Sequence, residues 1–238
     1  DAGFREYLRT DPNMLKFHSD PNKFTAGEIE LITVLDMKNR SLNAESLAGI
    51  EHFENLTTLH CNGTYLKSID VSKNTKLQYL NCSETWNLTT LNVKNCTELH
   101  TLYCSGCKLT ELDLSSNGQL QVLWCDNNQF TALDTAGNSQ LKSLYCYNNQ
   151  LAALNLASNP ALKELRCENN QLTTLDLSGN TALTSLSCEN NQLTEIQLKG
   201  FSNLTSLSIQ ENLLTSLDVS DCAELSYLRC SDNQLTEL

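Results

Sequence analysis

With 238 residues, 40% hydrophobic content, nine glycines and three prolines, the chain can bury one sizeable core or the elongated core of a repeat array, and collagen-like and disordered classes are excluded. Sixteen Lys and Arg against 28 Asp and Glu give a formal charge of −12, which repels phosphate backbones and anionic bilayers, so no nucleic-acid partner is expected. No apolar run approaches the ~20 residues that span a bilayer, so no membrane insertion is expected, and with no charged-then-apolar leader before Asp1 the chain reads as a processed or trimmed product.

From the N-terminus, "FREYL" (Phe4 to Leu8) and "AGEIELI" (Ala26 to Ile32) predict two short amphipathic helices outside any repeat. Beyond them a period of 21 governs the chain. Leu99, Leu120, Leu141, Leu162, Leu183, Leu204 and Leu225 open successive units without slip, and the frame extends back through Leu77 and Leu56 with one extra residue near Trp86. The unit reads LxxLxCxxNxLTxLDLSxNxx, as in "LKELRCENNQLTTLDLSGNTA" from Leu162 to Ala182. Within it, Leu165/Cys167 and Leu175/Leu177 alternate with polar residues at period two, the pattern of half-buried strands, and no stretch is long enough for an ordinary helix.

This period and Leu spacing resemble the leucine-rich-repeat family over roughly Ile32 to Leu238. The resemblance implies a mostly β, right-handed solenoid with a parallel inner sheet, short extended or turn segments on the convex side, and a small α-helical N-terminal cap. The expected organisation is a cap at 1–31 and a solenoid at 32–238, with about nine units from Leu56 after one atypical repeat. The helices would cover the first coil, because a solenoid end is an exposed apolar cross-section with unpaired edges. "ESLAGIEHFENLTTL" (Glu45 to Leu59) is similar to the cap-to-repeat junction of internalin-like bacterial surface proteins, which implies an extracellular or cell-surface location in a bacterium. Relatives of that kind often carry an EF-hand-like loop before the second cap helix. With Glu28 at the twelfth position, Phe17, Ser19 and Pro21 fall at one, three and five, so no calcium site is expected.

Two Asn columns mark the turns. Asn128, Asn149, Asn170, Asn191, Asn212 and Asn233, with Thr64 and Cys107 earlier, follow the inner strand, where a buried amide can satisfy backbone groups that the sheet leaves unpaired. Asn74, Asn117, Asn138, Asn159 and Asn180 mark the opposite corner, preceded by Asp70, Asp113, Asp134, Asp176 and Asp218 in expected Asx turns. Of eleven cysteines, Cys61, Cys82, Cys104, Cys125, Cys146, Cys167, Cys188 and Cys230 fill one inward column, with Ile209 in the same slot. They read as a core ladder of free thiols: neighbouring strands lie about 4.8 Å apart, but parallel side-chain vectors disfavour bridging. "CSGC" (Cys104 to Cys107) splits between two columns and lacks a second pair, so no zinc is expected.

No nucleophile, base and orienting group converge, so no catalytic residue, metal or cofactor is expected. Strand alternation instead names an outward face in three columns. The central one runs His60, Asn81, Tyr103, Trp124, Tyr145, Arg166, Ser187, Ser208, Arg229, and the flanking columns carry Tyr79, Glu164 and Tyr227 on one side and Asp126, Tyr147, Glu168 and Glu189 on the other. Tyr79, Tyr103, Trp124, Tyr145, Tyr147 and Arg166 form the candidate ligand-binding patch, because Tyr, Trp and Arg bring large contact area with few rotors to freeze. Glu164, Glu168 and Glu189 are expected as an outward polar rim. The favoured function is non-catalytic protein recognition or adhesion, with glycan binding on the same face or a structural spacer as alternatives. The stop at "NQLTEL", midway through a coil, leaves open a continuing chain or an end covered by a partner, a homodimer included.

Overall fold

The computed structural model describes residues 1–17, 20, 24–38 and 44–236. Twelve three-residue strands, β1 (Val34–Asp36), β2 (Thr58–His60), β3 (Ser68–Asp70), β4 (Tyr79–Asn81), β5 (Thr90–Asn92), β6 (Thr101–Tyr103), β7 (Val122–Trp124), β8 (Ser143–Tyr145), β9 (Glu164–Arg166), β10 (Ser185–Ser187), β11 (Ser206–Ser208) and β12 (Tyr227–Arg229), account for the sheet structure. Ten of them form one parallel sheet in the order β1-β2-β4-β6-β7-β8-β9-β10-β11-β12, and β3 pairs with β5 on another side of the coil. The register is unslipped, Leu59 facing Leu80, Leu80 facing Leu102, and so on to Leu207 facing Leu228. Successive coils from β2 to β12 therefore each contribute one strand to the ten-stranded sheet, the architecture of a leucine-rich-repeat solenoid.

The unit Leu and Cys positions point inward. Leu120, Leu123 and Cys125 of one coil and Leu183, Leu186 and Cys188 of another are fully buried, and the core runs as one continuous column along the solenoid. All eleven cysteines are free and ten are buried, Cys230 in the last coil being half-buried. Burial pushes the Cys61, Cys146 and Cys188 thiols far above their ordinary range, so they behave as small hydrophobes.

The turn after each inner strand uses both residues of the recurrent Asn pair. The first, as in Asn127, Asn148, Asn169 and Asn190, takes a left-handed φ between 51° and 55°, which Asn tolerates better than most side chains. The second inserts. Asn191 Nδ2 donates to the carbonyls of Cys167, Cys188 and Glu189, and its Oδ1 accepts from Leu172 N–H, so one amide ties neighbouring coils. Thr64 and Thr85 fill this slot earlier with hydroxyls donating to Cys61 O, and Cys107 with a thiol donating to Cys82 O; Thr85 is absent from the sequence-derived column.

At the opposite corner Asn180 Nδ2 donates to Leu156 O and Asn159 O, and Cys96 substitutes with a thiol donating to Val71 O. The Asx turns form as their spacing predicts. Side-chain hydrogen bonding from Ser115 and Ser220 comes first in holding the Asp113 and Asp218 carboxyls below their ordinary range, and the backbone N–H of Ser178 does so for Asp176.

The N-terminal helices are α1 (Ala2–Thr10), α2 (Pro12–Leu15) and α3 (Ala26–Glu30). α1 is longer than "FREYL" suggests because Asp1 caps it, accepting from Gly3 N–H, and it buries Phe4 and Tyr7. α2 was not expected; Asp11 caps it and Pro12 opens it. α3 stops at Glu30, so Ile32 lies outside the helix and is buried in the core. Glu28 closes a capping box with Thr25, whereas Ser19 and Pro21 of the calcium-loop comparison lie outside the described residues.

Candidate functional site

The outward residues of β2 to β9 place the sequence-predicted aromatics side by side. Rings of Tyr79 and Tyr103 meet edge to face at 5.6 Å, Tyr103 and Trp124 lie at 4.5 Å, and Trp124 stacks on Tyr145 at 4.9 Å with planes 2° apart. The Arg166 guanidinium ends the run, 5.5 Å from the Tyr145 ring and 4.5 Å from that of Tyr147. His60 begins it, 4.9 Å from Tyr79, although sheet register pairs Tyr79 with Thr58. A tyrosine reaches diagonally two residues along the neighbouring strand, which strand pairing alone does not reveal.

The carboxylates divide. Glu164 is exposed as expected, and its Oε2 accepts from the Tyr145 hydroxyl at 3.0 Å. Glu168 does not face outward: only 3% of its side chain is exposed, and the Arg166 guanidinium donates to its Oε1 from above. The long side chain of Arg166 folds over it. Burial raises the Glu168 carboxyl above its ordinary range, with hydrogen bonding from Arg166 opposing. Glu189 on the next coil is half-buried, and the covered Oε2 atoms of Glu168 and Glu189 have no donor among the described residues.

Asp126 is likewise buried. It accepts from Ser105 Oγ at 2.6 Å and Asn127 Nδ2 at 2.7 Å. Burial first, then the Asp126 charge, raises the Tyr147 phenol above its ordinary range.

An open groove of ≈ 930 Å³ runs over Tyr103, Trp124 and Tyr145, and Trp86, which lies outside all three outward columns, lines it too. Trp86 is 60% exposed. The signal that could have found it is the single extra residue in its coil, the one slip in the period. Among the described residues no three His, Cys, Asp or Glu side chains gather as metal ligands.

Comparison with known proteins gives this surface a setting. The family model "Leucine Rich repeats (2 copies)" matches residues 160–200. The functional domain of InlJ from Listeria monocytogenes, which includes a cysteine ladder, is similar at 29% identity with a TM-score of 0.69, over 90% of this chain and 56% of that one. The internalin InlF of Listeria monocytogenes is similar at 26% identity and a TM-score of 0.73, over all of this chain and 77% of that one. The chain shares the leucine-rich-repeat architecture of these internalins. It thus spans little more than half the length of the InlJ domain chain. A leucine-rich-repeat protein of Leptospira interrogans shares the fold at 21% identity and a TM-score of 0.63, over 78% of this chain and 57% of that one. No curated protein matches by sequence.

Leucine-rich-repeat proteins are generally non-catalytic scaffolds, typically for protein–protein interaction. On the inner face of this leucine-rich-repeat protein the Tyr145 hydroxyl bonds to Glu164 and the Arg166 guanidinium to Glu168, which holds these side chains in place.

Proposed function

We infer that this leucine-rich-repeat protein is a non-catalytic recognition module that binds a protein partner, in the manner of an adhesin, through Tyr79, Tyr103, Trp124, Tyr145, Tyr147 and Arg166. Resemblance to the Listeria proteins supports a location outside a bacterial cell or on its surface. The observation that carries the reading is the unbroken run of half-exposed rings from Tyr79 to Tyr145, closed by a guanidinium. Such rings supply contact area at small entropic cost, and truncating a central anchor in such a patch typically costs about 2 kcal/mol or more of binding. Glu164 lies at the rim, where its contribution is to orientation and on-rate. Glu189 is half-covered, and Glu168 supports Arg166 from beneath.

The test is biolayer interferometry of fractionated extracellular proteins on the immobilised chain, then on a Trp124→Ala, Tyr145→Ala double variant. Saturable binding that the double variant loses supports the reading. Binding that persists unchanged in the double variant overturns it.

A further inference from the structure

Both tryptophans of the chain line one groove. Trp124 stands in the central column of the sheet, whereas Trp86 belongs to the turn of the coil from Leu77 to Glu98, one residue longer than its neighbours. In that turn Glu84 adopts a left-handed φ of 55°, uncommon for a side chain of its kind. The next coil has Gly106 beneath the insertion, where a Cβ would meet both the Glu84 backbone and the Trp86 ring at 3.6 Å. The extra residue thus seats an exposed indole beside the aromatic run.

Apart from the exposed Glu84 carboxylate at its rim, the charges around this groove are already matched. Asp126 accepts from Ser105 and Asn127, and Arg166 is paired with Glu168, so an anionic ligand would have to break the Arg166 pair to find a cation there. What stays available is ring faces, the amide nitrogens of Asn62 and Asn81, the Ser83 hydroxyl, and the exposed carboxylate of Glu84 at the rim. Flat aromatic faces are electron-rich and attract the positively polarised C–H face of a pyranose, while amides, hydroxyls and a carboxylate bond its hydroxyls. A polyproline segment would also lie on such rings, but proline has no N–H to offer the exposed Glu84 carboxylate at the rim.

We propose that the groove is a subsite for a neutral pyranose, a sugar residue carried by the partner of the inner face, with Trp86 and Trp124 as its platforms. It rests on the reading of that face as a recognition surface.

Because both tryptophans line the groove, intrinsic fluorescence of the full chain reports on this site. The chain is titrated with maltotetraose, cellotetraose, mannotriose and N-acetylchitotriose, with a heparin tetrasaccharide and decaproline alongside. The expected result is a saturable change with at least one neutral saccharide, half-maximal at about 1 mM or below, and none with the heparin fragment or decaproline. Trp86→Ala should weaken the response about tenfold without moving the unfolding midpoint, since the indole is exposed.

No response to any neutral saccharide up to about 10 mM, a response to decaproline instead, or an unchanged affinity in Trp86→Ala overturns the proposal. A parallel arm separates the two readings. If captured proteins bind equally before and after enzymatic deglycosylation, and the Trp124→Ala, Tyr145→Ala variant still abolishes capture, the sugar subsite fails while protein recognition stands. If neutral saccharides bind but the double variant captures proteins unchanged, protein recognition by this face fails.

Discussion

The coils carrying β4 to β9 and those carrying β10 and β11 share a backbone and a core but not a surface. Cys146 N–H donates to Arg166 O at 2.8 Å in the first group, and Cys188 N–H donates to Ser208 O at 2.9 Å in the second. Asn128 and Asn191 each donate to three carbonyls and accept one N–H. Outward, however, Tyr79, Tyr103, Trp124, Tyr145 and Arg166 give way to Ser185, Ser187, Ser206 and Ser208. The serine coils hold their pairing without stacked rings. Cross-strand aromatic pairs contribute on the order of 0.2–1 kcal/mol each, so the rings are an addition to a sheet that does not need them.

Five variants probe that contrast, in falling order of effect on stability. Asn128→Ala and Asn191→Ala each strand three carbonyls and one N–H, and each should lower unfolding free energy by about 3 kcal/mol in urea. The two losses should agree within about 0.5 kcal/mol, whereas a far larger loss at Asn128 would make the aromatic half a stability unit of its own.

Replacing Trp124 and Tyr145 by Ser makes the aromatic coils resemble the serine ones. The expected destabilisation is about 1–2 kcal/mol with the circular dichroism unchanged, and a loss above about 4 kcal/mol would show that the rings hold the sheet.

Glu168→Gln should be smaller and of opposite sign. Burial raises this carboxyl, so its protonated form favours folding, and that contribution is lost as pH rises from the ordinary carboxylate range through the raised value. The amide removes the penalty of ionisation and should stabilise the protein by about 1 kcal/mol at pH 7, with the gain shrinking towards pH 4 in parallel urea titrations.

The smallest effect is expected at Thr135, whose hydroxyl donates to Asn159 Oδ1 at 2.8 Å. The corresponding Oδ1 atoms of Asn74, Asn117, Asn138 and Asn180 have no donor, so Thr135→Leu, which restores the apolar residue found at Leu114 and Leu156, should shift stability by less than about 1 kcal/mol.

The period, the Cys column and the strand register were legible because each recurs in its own column and β alternation fixes where every Cβ points. The same logic placed Tyr103, Trp124, Tyr145 and Arg166 on one face. It was silent on what long side chains do after leaving the backbone: Arg166 lying over Glu168 and against the Tyr147 ring, Tyr79 leaning towards His60. It also passed over Trp86, because a turn residue displaced by an insertion belongs to no repeating column. The short helix at Pro12 was missed because one turn of helix leaves no periodicity to read.

The column of buried thiols has a use beyond filling the coil. Cys61, Cys82, Cys104, Cys125, Cys146, Cys167 and Cys188 mark seven coils, each placing one sulfur of this column where it is sealed from solvent and kept from ionising, while Cys230 in the last coil is half-buried. A thiol reagent can reach each sulfur only when its own coil opens, since a stack in which every unit touches only its neighbours can fray step by step from an end. Mass-spectrometric mapping of modification over time would therefore turn the ladder into a clock with one hand per coil, with Cys230 striking first and the order of the others tracing the path by which the solenoid unwinds.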